Sequence, residues 1–277
     1  MTSTNDEEGN GAKQKLLQFI DTSKAQEAGH TLAINSQGVP YSYCHNVKIC
    51  NNELGQLGRQ GNPYKILPIN LDDGDGSSAI AQYVYTGGFS SSGHSAILDT
   101  NGYLWLSGCD RWQQLGLGSS HGGSSGYTWK GGKLWQDQFQ RNDHVVELIQ
   151  KLDSSLTNNN NIHGHIPRRW IRDVALGGDH TVILSSNKKD VVVFGKGGEG
   201  QLGLTSKPWV SSPAKSKVLS SSDANISAVC AFRNCSMTLN DSGEVMKKAG
   251  KCSIEIKGMK RALDMCRKRA KETGLNP

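Results

Sequence analysis

The strongest constraint on the fold is a short phrase that recurs along the chain. The tripeptide Gln-Leu-Gly occurs three times, and a histidine at the start of a short apolar segment lies 26, 20 and 21 residues before its glutamine. The copies are His30 with Gln56–Gly58, His94 with Gln114–Gly116 and His180 with Gln201–Gly203. Self-similarity over tens of residues indicates a repeat architecture in which each copy forms one supersecondary unit.

Each copy has the pattern of a β-hairpin followed by a glycine-rich corner. An apolar segment enters a polar turn, and a second segment returns from it. A fourth, divergent copy begins at Arg233, and Cys235 replaces the histidine there. The predicted turns are Ser36–Gly38, Thr100–Gly102, Asn187–Lys189 and Asp241–Gly243. Repeated hairpins, with room for further strands over 64–67 and 145–149, predict a β-propeller or a similar array.

At these residues the chain resembles the regulator of chromosome condensation repeat family. The family repeat runs Gly-x-His-Thr, an apolar strand, a glycine turn, an aromatic-Gly pair and then Gly-Gln-Leu-Gly. The third copy follows it through Gly195 and Gly200–Gly203, whereas the first two have Tyr43-Cys44 and Ser107-Gly108 at the aromatic-Gly position. The resemblance implies propeller blades, which number seven in the family's full form. At roughly fifty residues per repeat, this chain holds about five at most.

We therefore expect an all-β fold: a partial β-propeller of about four blades, with a long inserted loop and a short basic C-terminal helix. The expected domains are a polar N-terminal lead over 1–27, blades over 28–250 with an insertion over about 119–169, and a basic tail over 251–277. Residues 13–20 fit either a short helix or a leading strand. Open blade edges favour self-association, because unpaired strands are templates for further pairing.

The segment Gly195–Gly200 also matches the Gly-x-Gly-x-x-Gly spacing of a dinucleotide-binding loop. Such a loop needs a helix after it, so that backbone N–H groups and the helix dipole meet the pyrophosphate. The following residues contain Gly203 and Pro208 and lack a helical apolar stripe. The segment is therefore interpreted as a repeat corner, and no cofactor is expected.

The histidines of the repeats are predicted to be structural. His30, His94 and His180 occupy equivalent places, whereas a catalytic base is needed once, beside a nucleophile. We expect them to hydrogen-bond a neighbouring backbone and hold blades together, with Gly58, Gly116 and Gly203 shaping the corners. The seven cysteines are odd in number and have no zinc-ligand spacing, so we expect buried free thiols, no metal site and no catalytic residue.

Two regions have the composition of a binding surface. The start of the insertion combines glycine and serine with aromatic and basic residues, which dominate interaction hot spots. Its candidate partner-binding residues are Tyr127, Trp129, Lys130, Trp135, Phe139 and Arg141. The alternative is an insertion that only packs on its own blade.

The second region is the C-terminal tail. Residues 247–277 contain ten Lys or Arg and three Asp or Glu, so of 31 basic and 25 acidic residues in all, 21 and 22 precede it. The positive excess thus belongs to the tail, where an amphipathic helix over 257–271 is predicted. Its candidate residues for nuclear targeting or for an acidic surface are Lys260, Arg261, Arg267, Lys268, Arg269 and Lys271. A solvated helix that caps the fourth blade is the alternative.

These features predict a protein-interaction scaffold that binds a protein partner through loops of the propeller, and not an enzyme. The family resemblance implies an alternative, guanine-nucleotide exchange on a small GTPase, although the matched motif is structural and carries no exchange residues over. Association with chromatin or nucleic acid through the tail is a third hypothesis. No stretch has the roughly 18 apolar residues of a membrane span, and the N-terminus lacks the apolar core of a secretory signal. We expect an intracellular protein of the nucleus or cytoplasm.

Overall fold

The computed structural model describes residues 17–22, 29–46, 48–50, 52–72, 78–89, 92–118, 135–152, 170–205, 207–253 and 257–273. Fifteen strands in these ranges form four antiparallel sheets. The first sheet contains β1 (Leu17–Thr22), β2 (His30–Asn35), β3 (Pro40–Cys44) and β4 (Leu67–Pro68). The second contains β5 (Ala81–Gly87), β6 (His94–Asp99), β7 (Leu104–Cys109) and β8 (Trp135–Arg141).

The other two sheets follow the same order along the chain. The third contains β9 (Ile171–Leu176), β10 (His180–Ser185), β11 (Val191–Lys196) and β12 (Trp209–Lys215). The fourth contains β13 (Ala228–Phe232), β14 (Cys235–Leu239) and β15 (Val245–Gly250). Each predicted turn joins the second and third strands of its sheet, where Gly38, Gly102 and Gly243 have positive φ values.

The sheets pack face to face as the blades of a propeller. The first strands β1, β5, β9 and β13 touch in succession, and the second strand of each blade packs on the first strand of the next. An apolar core fills each boundary. Leu32 and Trp105 belong to the core between blades 1 and 2, Leu106 and Phe194 to the next, and Val193 and Val229 to that between blades 3 and 4. The predicted partial β-propeller is confirmed.

Two segments differ from the sequence expectation. Residues 145–149 were expected to form a strand, but they lie in helix α1 (Asp143–Leu152), whose Val145 and Ile149 pack in the core between blades 2 and 3. Residues 64–66 form a turn, and only Leu67 of the second expected strand belongs to β4. In addition, β1 lies within the segment assigned to the polar lead, so the first blade begins at Leu17.

Helix α2 (Lys257–Thr273) covers the side of blade 4 that points away from blade 3. Its apolar residues Met259, Ala262, Leu263 and Cys266 are buried against β13 and β14. On the opposite side of that sheet, Val229 and Ala231 face blade 3. The helix therefore lies where a following blade would pack.

Six of the seven cysteines form disulfide bonds, so the prediction of free thiols is wrong for them. Disulfide bonds join Cys44 to Cys50, Cys230 to Cys266 and Cys235 to Cys252, with Cα separations of 5.5, 5.8 and 5.0 Å. The last two tie α2, and the segment that leads to it, to blade 4. Cys109 remains free and buried, and burial raises the pKa of its thiol to about 11.

Candidate interaction face

The repeat histidines lie at the boundaries between blades. His30 Nε2 lies 2.8 Å from the hydroxyl of Ser95 in blade 2, and His180 Nε2 lies 2.7 Å from the hydroxyl of Ser236 in blade 4. We expected the repeat histidines to bond a neighbouring backbone. For His30 and His180 the partner is instead a side-chain hydroxyl of the next blade. The hydroxyl comes from the residue directly after the histidine position of that blade. His94, in contrast, interacts with the backbone of Ser92 and with that of His180 in blade 3.

The hydrogen-bond pattern defines the protonation of the first of these rings. The Ser95 hydroxyl donates its one hydrogen to the backbone carbonyl of Gln56 at 2.6 Å, so His30 must donate its Nε2–H to Ser95. Burial lowers the pKa of His94 to about 4 and that of His180 to about 3, so both rings are neutral at pH 7. Buried, neutral rings at blade boundaries suit a structural role better than proton transfer.

The glycines of the Gln-Leu-Gly corners allow the next blade to approach. Gly58 and Gly116 have φ values of 62° and 63°, in the left-handed region that favours glycine. A Cβ atom at Gly58 would lie 2.2 Å from the ring of Phe139, and one at Gly116 would lie 2.7 Å from the ring of Phe194. Gly203 has a φ of 59°, and a Cβ there would lie 2.6 Å from Ser216 Oγ.

The Gly195–Gly200 segment is one of these corners. Gly195 pairs with His180 at the end of the hairpin, and a turn follows Gly200. Among the described residues, the next element along the chain is the strand β12 and not a helix. The loop therefore lacks the helical half of a phosphate-binding site.

A second set of residues comes together where the first strand of each blade turns into the second. Gly88 N donates to Gly177 O at 2.8 Å, and Gly178 N donates to Arg233 O at 2.9 Å. These bonds join the loops of blades 2, 3 and 4 into one surface. We call it the loop face. It comprises Phe89, Asp179 and Arg233 of these loops, together with Arg111 and Trp112, which follow the third strand of blade 2, and Lys196, which ends the third strand of blade 3.

Cations and aromatic rings alternate across the loop face. The Arg233 guanidinium carbon lies 4.7 Å from the centroid of the Phe89 ring, and Lys196 Nζ lies 4.9 Å from that of Trp112. Lys196 Nζ also lies 3.8 Å from Asp179 Oδ2. Burial raises the pKa of Asp179, while Lys196 acts in the opposite direction. Phe89 remains 44% exposed and Arg233 is exposed, so an aromatic ring and a guanidinium are presented together to solvent.

Sequence reasoning did not find the loop face, because its contacts join residues that are far apart in the chain. Phe89 and Arg233 lie in different blades and 144 positions apart, and although the fourth repeat copy begins at Arg233, nothing in the sequence pairs it with Phe89. A signal was present, however, in the repeat itself: Asp179 directly precedes His180, and Lys196 directly follows Gly195. Variable residues beside fixed repeat positions are where a repeat protein presents its binding surface.

The structure separates the candidate residues of the insertion. Tyr127, Trp129 and Lys130 lie outside the described residues. Trp135, Phe139 and Arg141 belong to β8, the fourth strand of blade 2. Phe139 is buried in the core between blades 1 and 2, so its assignment to partner binding is wrong. Arg141 lies 4.9 Å from the Tyr103 ring centroid and bonds Asp143, and Trp135 is half-buried.

The candidate residues of the tail lie on α2. Lys260, Arg261, Lys268 and Lys271 are exposed. Arg267 donates from Nε to the carbonyl of Gly243 at 3.0 Å and so also anchors the helix. The side chain of Arg269 lies outside the described set. The tail thus caps the blade and still displays its basic residues.

The described residues were also compared with the requirements of a metal site and of a membrane-spanning helix. Within them, no three His, Cys, Asp or Glu side chains cluster in a way that could hold a metal ion. Neither of the two described helices is long and apolar enough to cross a membrane.

The fold and the corners define a class, the β-propeller proteins built from repeated four-stranded blades. A sequence profile of the regulator of chromosome condensation (RCC1) repeat matches residues 171–201, from β9 to the third Gln-Leu-Gly. Human protein RCC2 is 27% identical over 236 residues, and the Xenopus laevis RCC2 homolog is 26% identical over 220. These alignments cover 82% and 77% of the chain but 39% and 37% of the relatives, so the chain spans about two fifths of their length.

Solved structures agree on the fold. Prp20p from Saccharomyces cerevisiae, studied with its binding properties to Gsp1p and histones, has a TM-score of 0.55 at 18% identity and covers 90% of this chain and 47% of its own. Human WBSCR16 has a TM-score of 0.50 at 18% identity and covers 79% and 44%. The chain is therefore similar to the regulator of chromosome condensation repeat proteins: one repeat matches over residues 171–201, and the fold is of the same β-propeller type.

Proposed function

We propose that the chain is a protein-interaction scaffold that binds a protein partner through the loops of its partial propeller. The observation that carries this proposal is the loop face, where Phe89 and Arg233 are exposed in contact with each other. Aromatic and arginine side chains are enriched among the residues that dominate the binding energy of protein interfaces. Because backbone bonds join the three loops, the face is already organised before a partner binds, which lowers the cost of association.

The partner classes to test come from the similar proteins. Prp20p was studied for binding to Gsp1p and to histones, and the family resemblance implies small GTPases. Guanine-nucleotide exchange is the second candidate function. The scaffold is favoured, because the residues that match the family are corners and core positions and none is a reacting group. Residues 119–134, with Tyr127, Trp129 and Lys130, are proposed as a further contact region.

The basic tail adds a proposal about location. Lys268, Arg269 and Lys271 form a short basic pattern of the kind that nuclear import receptors bind. We propose action in the nucleus or cytoplasm, and a fluorescent fusion of the full chain would distinguish the two.

One experiment separates the candidate functions. The purified chain is immobilised and exposed to a panel of small GTPases loaded with a fluorescent guanine nucleotide, and separately to core histones. Binding without faster nucleotide release supports the scaffold. Faster release of the labelled nucleotide supports the exchange function instead. A chain that binds neither class, while its thermal unfolding remains cooperative, would contradict both.

A further inference from the structure

The apolar side of helix α2 is buried within the protein. Met259 and Leu263 are 2% and 3% exposed, and they pack with Phe232 and Met237 of blade 4. A Cβ atom at Gly258 would lie 2.5 Å from Phe232 Cζ, so the start of the helix lies directly on the sheet. The helix is therefore part of the folded body, and its outer side has a fixed orientation.

That outer side is strongly basic. The helix sequence contains seven basic and two acidic residues, a balance of +5. Of the two acids, Asp264 lies 3.3 Å from the Arg267 guanidinium, so a basic residue already neutralises it. The residues before 247 carry 21 basic and 22 acidic side chains, a balance of −1, so that part of the chain has no comparable net charge.

The exposed charges form two short rows along the helix. Lys260 and Lys271 are eleven residues apart, which returns to nearly the same side after three turns, about 16 Å along the axis. Arg261 and Lys268 are seven residues apart and form the neighbouring row, about 10 Å long. Phosphates of one strand of duplex DNA repeat every ~3.4 Å along its axis. The two cations of the longer row can therefore each contact a phosphate of the same strand.

The burial of the apolar side decides between two classes of polyanion. An amphipathic helix that binds a membrane inserts its apolar side between lipids. In α2 that side is occupied by blade 4 and tied to it by the Cys230–Cys266 disulfide. Only the electrostatic part of membrane binding remains, whereas nucleic acid needs no apolar insertion. We infer that the outer side of α2 is a docking surface for the phosphate backbone of nucleic acid, separate from the loop face.

The test compares two variants that lose the same charge. The tail variant carries Lys260→Gln, Arg261→Gln and Lys271→Gln. The control variant carries Lys65→Gln, Lys207→Gln and Lys217→Gln, three exposed lysines of blades 1 and 3. Both should unfold at the temperature of the wild type, because exposed substitutions of this kind have small effects. Binding of a labelled duplex DNA is measured by fluorescence anisotropy between about 50 and 200 mM salt.

The inference predicts salt-dependent binding by the wild type and by the control variant. The tail variant should bind more weakly, and the slope of log K against log salt should be smaller by about 2.7, since each phosphate contact contributes about 0.9. The inference would be overturned if the wild type failed to bind DNA at the lowest salt, or if both variants lost binding equally. Phosphatidylserine vesicles are a further arm. Equal binding to them, lost in the same tail variant, would contradict the assignment to nucleic acid.

Discussion

The side chain of His30 lies 2.8 Å from that of Ser95, across the boundary between the first and second blades. The same relationship joins His180 to Ser236 across the last boundary. The hydroxyl of Ser95 also reaches the carbonyl of Gln56, and Thr181 reaches Gln114 in the same way. Each blade therefore contacts the next through a hydroxyl that lies directly after the histidine position.

This relationship predicts the effect of Ser95→Ala. The substitution leaves the Nε2–H of His30 and the carbonyl of Gln56 buried without their shared partner. Loss of such a partner costs about 1–3 kcal/mol, so the free energy of unfolding in urea should fall by about that amount. Ser212→Ala, at an exposed position of β12, is the control and should change it by less than about 0.5 kcal/mol. Equal effects of the two substitutions would contradict the account of the boundary.

The buried carboxyl of Asp110 predicts a pH-dependent stability. Burial raises its pKa to about 7, although its Oδ1 accepts the N–H of Leu115 at 2.9 Å. In the unfolded chain the carboxyl ionises near 3.8. Between these two pH values the folded state holds a proton that the unfolded state has released, so this contribution to stability falls as pH rises, by about 1.4 kcal/mol per unit. Above pH 7 the contribution is fully lost.

Asp110→Asn removes this titration. Blade 1 already has an asparagine in this role, since Asn52 Oδ1 accepts the N–H of Leu57 at 2.9 Å. We expect the variant and the wild type to have similar stabilities near pH 4 and the variant to be more stable above pH 7. The comparison cancels the titration of the histidines, which both proteins share. Urea unfolding at several pH values measures the difference, and a difference that does not vary with pH would contradict it.

The burial of Leu263 predicts that α2 contributes to the stability of blade 4. Leu263→Ala should lower the free energy of unfolding by about 2–5 kcal/mol, as for other buried leucines. Lys260→Ala, on the exposed side of the same helix, should have little effect. If α2 were a solvated helix that served only as a targeting signal, Leu263→Ala would leave the unfolding curve unchanged.

The position of β8 predicts how the protein responds to deletions in the insertion. Deleting residues 119–142 removes the fourth strand of blade 2 and Phe139 from the core, so we expect loss of cooperative unfolding. Replacing 120–133 with a Gly/Ser segment of equal length removes Tyr127, Trp129 and Lys130 but keeps β8. This variant should unfold like the wild type and bind its protein partner more weakly. Unchanged partner binding would show that these residues are not a contact region.

The sequence predicted the hairpins correctly, because their structure depends on residues that are close together in the chain. The distance from histidine to turn glycine located the hairpins, because the turn that joins two strands is set by neighbouring residues. The divergent fourth copy is now understood in the same terms. Ser236 retains the hydroxyl that His180 reaches, whereas Cys235, at the histidine position, is joined to Cys252 and packs in the core that α2 covers.

Other features depend on contacts that the sequence alone did not reveal. Helix α1 was mistaken for a strand because Val145 and Val146 favour strands, but Asn142 caps its start by accepting the N–H of Val145. The Cys230–Cys266 disulfide joins residues 36 positions apart, and Phe89 of blade 2 meets Arg233 of blade 4 only because both blades pack on blade 3. Such pairs follow from how the blades and α2 pack in three dimensions, which no local pattern encodes.

The most direct test of the interaction scaffold compares the loop face with the opposite end of the blades. One variant carries Phe89→Ala and Arg233→Ala. Its matched control carries Ile80→Ala and Lys189→Ala, which likewise removes an exposed apolar side chain and an exposed cation, both beside the second-to-third-strand turns. Affinity for the small GTPase or histone that the wild type binds is measured by calorimetry. The account predicts a loss of at least about tenfold in the loop-face variant, or about 1.4 kcal/mol, and wild-type affinity in the control. Wild-type affinity in the loop-face variant would contradict it.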